Sequence, residues 1–279
     1  MSIPRDHHYL PQFYTGRWTV AGKVYRYVRP TPSGSLHQKN VAPAAVGYRR
    51  DLYAYSVAAS EMSRQRLELE FFQAIDDRAA VALTKLDNSE RGSVIDKVGL
   101  VQFVISLLHR SHSRIENLRT ELEARLSDVR HFDPSNSIHQ ELIRDQINDL
   151  LTELISSTDV VRLIAHMKVF RIEVVAKHRL LTGDLPLMLS QGIAQPLGFL
   201  MFPYAPTKIA IIAHEEGVAA AFSTQDPDAL AKAINDAVVT QAREVVIASD
   251  ERSRRFIENR FAKNPEPIPG DGLMRWVVP

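Results

Sequence analysis

The chain opens with a dense run of side chains capable of chemistry, His7-His8-Tyr9-Leu10-Pro11-Gln12-Phe13-Tyr14. Imidazole titrates near neutral pH, so an adjacent pair can move protons or ligate a metal ion. Two histidines fall short of the ligand set that a bound metal needs. The competing reading is structural: Tyr9, Phe13 and Tyr14 anchor the segment to a core while the imidazoles make hydrogen bonds. A second candidate is Asp184, within Leu180-Leu181-Thr182-Gly183-Asp184-Leu185-Pro186-Leu187. A carboxylate in a tight turn after a strand-like stretch can act as ligand, base or orienter of a histidine, and can equally tie down the turn's own backbone. A third is Arg110, in His109-Arg110-Ser111-His112-Ser113-Arg114. Cations in a last helical turn complement the helix dipole, and a guanidinium behind an apolar helix can reach an interior acid or a phosphate. Arg64-Gln65-Arg66 and Arg252-Ser253-Arg254-Arg255 read as solvated faces.

The elements that must position these residues read as an α+β fold, with a mostly helical middle, an N-terminal hairpin and a small β-sheet in the C-terminal half. Residues 1–55 hold the opening motif and a hairpin expected over 20–28, where Val24, Tyr25, Tyr27 and Val28 follow Ala21-Gly22-Lys23. Residues 58–166 carry helical spacing. One helix runs through Leu67, Phe71, Phe72, Ile75, Ala79 and Leu83, and a second, over 94–112, is apolar almost all round and so central. Further helices are expected over 115–129 and 138–166, separated by Asp133-Pro134-Ser135-Asn136. From 168 to 263 β-favouring residues alternate with Gly and Pro, and strands are expected around 169–175, 187–189, 197–202 and 209–213. Helices at 227–240, begun by Asp226-Pro227, and at 250–262 close this part, with 264–279 as a coil tail. No linker of disordered composition divides the chain, so one domain is expected.

Composition narrows the function classes. The 279 residues are 45% hydrophobic, enough for a sizeable core. Lys plus Arg number 34 against 33 Asp plus Glu, so no global field favours nucleic acid. Absence of cysteine removes thiol nucleophiles and thiolate metal sites. The first ten residues are polar, unlike a secretory signal, and no apolar run approaches the roughly 20 residues of a membrane span, so a cytoplasmic location is expected. The Gly-rich phosphate loops, His-Glu-x-x-His and Gly-x-Ser-x-Gly are all missing.

Together these residues resemble the bacterial domain-of-unknown-function family 4238, whose members open with His-His-Tyr-Val-Pro-x-Phe-Tyr-Leu. The match runs through His7, His8, Tyr9, Pro11, Phe13 and Tyr14, then Lys39, Val41 and Tyr53, Arg110, Thr182, Asp184 and Pro186, Phe202, Pro203 and Pro206, and Asn235. The chain departs with Leu10 for Val, Thr15-Gly16 after the motif, Gly183 for Ser and Tyr204 for Leu. The resemblance carries no known activity. It singles out polar positions remote in sequence, and two expectations follow. In one, the protein is a hydrolase or nuclease-like phosphodiesterase. His7 or His8 would be general base or ligand to a divalent metal, Asp184 ligand or orienter, and Lys39 and Arg110 would stabilise a phosphate-like oxyanion. In the other it is a binding or regulatory protein, its motif structural and its partner a protein or a small phosphate-containing ligand.

Overall fold

Val24–Val28 form a strand because β-branched and aromatic residues gather there after the Ala21-Gly22 turn, whereas the other N-terminal strands are polar and rest on their pairing. The computed structural model describes residues 4–31, 33–127, 129–190 and 192–263. The expected coil tail lies outside them. β1 (Asp6–His8) runs into α1 (Gln12–Thr15), β2 (Val24–Val28) and β3 (His37–Val41) follow, and β4 (Tyr48–Arg50) returns to pair antiparallel with β1, His8 opposite Tyr48. The hairpin expected over 20–28 shrinks to one bridge between Val20 and Lys23, around Ala21 and Gly22 at positive φ. β2 pairs instead with β3 on one edge and with a late strand on the other. Val24 and Tyr27 are both buried, and a buried strand needs its backbone groups paired on both sides.

The helical middle follows its spacing and its caps. α2 (Glu61–Arg64), capped by Ser60, leads to a π-helical turn over Leu67–Phe72 that continues into α3 (Gln73–Asp87). Gln65, expected on a solvated face, is buried, bonded to Asp51 and Glu61. α4 (Val94–His109) starts at a capping box of Ser93 and Asp96 and is buried nearly all round. It stops short of residue 112 because Ser111 caps a new helix, α5 (His112–Leu126). The single helix expected over 138–166 is two, α6 (Ser137–Ser156) and α7 (Thr158–His166). Ser157 breaks it with an extended ψ of 111°, inside the run Ser156-Ser157-Thr158-Asp159, whose residues are weak helix formers.

β5 (Lys168–Glu173), β6 (Thr182–Gly183), β7 (Met188–Leu189), β8 (Phe199–Ala205) and β9 (Lys208–Ala213) occupy the β-favouring stretches. α8 (Glu216–Ser223) precedes α9 (Pro227–Gln241), which Asp226 caps as expected. β10 (Val246–Ala248) follows, and the last helix is only α10 (Arg254–Glu258). It starts later than residue 250 because the Asp250 side chain folds back onto Arg252 N in a local turn. With 48% helix and 17% strand, the chain is α+β with a helical middle.

The strands form two four-stranded antiparallel sheets, ordered β3-β2-β10-β6 and β5-β9-β8-β7, beside the β1–β4 pair. The inner strands β9 and β10 are buried on both faces. Along β9, Ala210 and Ile212 join a core with α3, α4 and α6, whereas Ile209, Ile211 and Ala213 join a second core with α8, α9 and α10. β10 repeats the pattern, with Ile247 in the first core and Val246 and Ala248 in the second. Among the described residues no helix is long and apolar enough to cross a membrane.

Candidate functional site, an arginine-lined cleft

The opening motif is built into the interior. His7 is fully buried, its Nδ1 accepts from Tyr53 N at 2.9 Å and its ring stacks on that of Tyr53, 5.6 Å away at 14°. Acceptance at Nδ1 leaves the proton on Nε2, and burial lowers the pKa, so this imidazole is neutral. His8 is half-buried. Its Nε2 lies 3.2 Å from Ala44 O and its ring 5.5 Å from Tyr48. Its backbone binds Glu68 through N–H at 3.3 Å and Arg110 through C=O at 2.6 Å.

Arg110 is buried in the same place. Glu68, Phe72 and Asp76, spaced by four across the π turn and α3, present an acid, an aromatic face and a second acid to one guanidinium. Asp76 accepts from both Nη atoms, at 2.7 and 3.1 Å, and the Phe72 ring lies 4.7 Å away. Burial pushes the Glu68 carboxyl up to about 7, and among the described residues its Oε2 has no hydrogen-bond partner. The oxyanion-stabilising role expected of Arg110 therefore meets a guanidinium already engaged by Asp76 and His8 in the core.

Asp184 is buried elsewhere, behind the chain that leaves α9. Its two oxygens accept from Arg243 N at 3.1 and 3.0 Å, and Oδ1 also accepts from Glu244 N at 3.2 Å and Val245 N at 3.1 Å. Burial and the nearby Glu244 charge hold its pKa up at about 6, against the pull of those amides. Gly183 makes the approach possible, since a Cβ there would lie 2.7 Å from Val245 O.

The loop that Asp184 holds, residues 243–245, forms one wall of an open cavity of about 530 Å³, whose lining includes Arg26, Arg29, Arg49, Arg50, Arg243, Tyr9 and Tyr48. Arg26 donates to Ala45 O at 3.0 Å, and Arg29 to Gly34 O and Glu258 O at 2.6 and 2.7 Å, so carbonyls orient these guanidinium groups without cancelling their charge. Glu244, the one carboxylate in the lining among the described residues, already accepts from Ser113 N at 3.0 Å and Arg49 Nη2 at 3.1 Å. Gly47 shapes the opposite wall. Its φ is +66°, and a Cβ there would come within 2.5 Å of the Leu10 Cβ.

A family model described as Protein of unknown function (DUF4238) matches residues 6–252. The chain belongs to this family. No curated protein and no solved structure matched it. The DUF4238 positions that are remote in sequence meet in space. The Tyr14 hydroxyl lies 2.7 Å from both Thr182 Oγ1 and Pro203 O, His7 and Arg110 both bond Tyr53, and Asn235 bridges Leu181 N and Arg179 O at 2.7 and 3.0 Å.

Of the five DUF4238 candidates, His7, His8 and Arg110 form one brace across β1, α3 and α4, and Asp184 forms another at the 243–245 loop. Lys39 is exposed on β3 directly opposite Arg26 of β2, on the cleft's side of the sheet. None of the five lines the cleft. Among the described residues no three His, Asp or Glu side chains converge as a metal ion would require, so a ligand role for His7, His8 or Asp184 has no geometry there. Sequence reasoning missed the lining arginines. Their one local signal is the Arg49-Arg50 pair directly after Tyr48.

Proposed function

We propose that this DUF4238 chain binds a phosphate-bearing small ligand in the arginine cleft, with the His-His-Tyr motif as the scaffold. The observation that carries it is the like-charge arrangement at the cleft. Arg26, Arg29 and Arg50 line it together, Lys39 stands opposite Arg26 on β3 outside the lining, and among the described residues no carboxylate forms an ion pair with any of the four, Asp6 opposite Arg50 in the β1–β4 register included. Guanidinium groups gathered on one cleft repel each other, and an anion bound among them relieves that cost. Guanidinium forks match phosphate oxygens, and a cleft concentrates their field. The net charge of +1 offers no wider field for a polyanion, which favours a small ligand over nucleic acid. The binding reading is favoured over a phosphodiesterase built on His7, His8, Asp184, Lys39 and Arg110, because that site needs the five to converge on open space.

Thermal unfolding against inorganic phosphate and pyrophosphate tests this reading. Ligand at 100 times its Kd stabilises by about 2.7 kcal/mol, a shift of several degrees that added salt weakens. The double variant R26A/R50A should lose the shift. A wild-type midpoint that millimolar pyrophosphate leaves unmoved would refute it, and phosphodiester turnover by a folded wild type, lost in Asp184→Asn, would restore the hydrolase.

A further inference from the structure

We propose that the ligand of the cleft is a nucleotide, its phosphate on the arginines and its base stacked on Tyr48. This rests on the cleft being a phosphate site. Tyr48 is a large aromatic on the cleft wall that remains 39% exposed, where core packing would have covered it. It is also held in place. The His8 ring, across the β1–β4 pair, backs it at 5.5 Å and 44°, and is itself tethered through Nε2 to Ala44 O at 3.2 Å. Arg50 stands two residues along β4, hence on the same side of the strand, and its side chain makes no hydrogen bond or ion pair among the described residues, Asp6 opposite it in the register included. An aromatic face beside an uncommitted guanidinium suits a planar base attached to a phosphate.

Size and charge favour a free nucleotide over a strand. The cavity, about 530 Å³, falls within the range of roughly 300–1,000 Å³ typical of small-ligand pockets. The net charge of +1 supplies no global field to hold a strand's backbone. The inference also gives His8 a task apart from any proton transfer: it is a positioning residue for Tyr48.

Isothermal titration of the full chain tests it with AMP, GMP, CMP and UMP, ribose 5-phosphate and inorganic phosphate, on wild type, Tyr48→Ala and Tyr48→Phe. Thermal midpoints check that each variant is folded. Stacking predicts that at least one nucleotide binds about tenfold tighter than ribose 5-phosphate. Tyr48→Ala should erase that advantage while leaving ribose 5-phosphate affinity unchanged, and Tyr48→Phe should keep it. If every nucleotide binds only as well as ribose 5-phosphate, the nucleotide inference falls and the phosphate site stands. If none of the ligands binds, both fall. A single-stranded oligonucleotide binding more than about tenfold tighter than any mononucleotide would overturn the free-nucleotide assignment in favour of a strand.

Discussion

Asp184 holds the backbone of Arg243 through both carboxylate oxygens, and so sets where one guanidinium of the cleft begins. The same carboxylate reaches the next two amides, making it the fixed point of the loop between α9 and β10. Asp184→Ala leaves these buried donors without an acceptor and should cost about 2–4 kcal/mol in urea unfolding. Asp184→Asn, which keeps one carbonyl oxygen, should fall between it and wild type.

Glu68 supplies a pH test. Its folded pKa of about 7 lies above the ordinary carboxylate value, so between about 4.5 and 7 the folded state holds a proton that the unfolded state has released. Its contribution therefore favours folding at the acid end and is lost as pH rises through 7. Glu68→Gln should be more stable than wild type at pH 8, by on the order of 3 kcal/mol, and the two should converge only as pH falls below about 4.5. Parallel pH series of denaturant midpoints check this. A constant difference across the series would show that Glu68 does not titrate in that window.

Arg110 tests the brace. Arg110→Ala strands the Asp76 carboxylate in the core and removes the bond to His8 O, a loss of about 3–5 kcal/mol by the usual effect of breaking a buried pair. Arg110→Lys keeps the charge but cannot reproduce the two-pronged contact, and should recover part of that loss in the same unfolding measurement.

Where spacing or local chemistry decides structure, the sequence was informative. The apolar run of α4 and the Asp226-Pro227 start of α9 announce their helices, and the burial of Tyr9 and Tyr14 follows from an aromatic-rich opening. Asp250 was harder, because a side chain bonding locally competes with helix on nearly equal terms, and at Ser157 a run of weak helix formers gives no sharp stop. β10 is only three residues long, and what makes it a strand is the pair of neighbours on its edges. The cleft was illegible for a similar reason. Arg26, Arg29, Arg49, Arg50 and Arg243 come from three separate segments, and an arginine in an isolated stretch looks the same whether it ends in water or beside four others. His8 and Asp184 stood out by type and setting, yet only packing shows that they support the cleft walls from behind.

The two dry faces of β9 have a consequence for how this protein can misfold. In an ordinary half-wetted strand, slipping by one residue throws apolar groups into water, and solvent polices the alignment. Here a slip would merely exchange Ile209, Ile211 and Ala213 with Ala210 and Ile212, and every one of them would stay dry. The penalty comes from volume alone: isoleucines would be forced where Ala210 leaves room, and a void would open on the other side. The irregularity between Pro203 and Ala205 on β8 works as a mechanical stop at one end. In this strand, correct threading is enforced by shape, and an Ala210→Ile substitution would blur the difference between the right alignment and its nearest impostor.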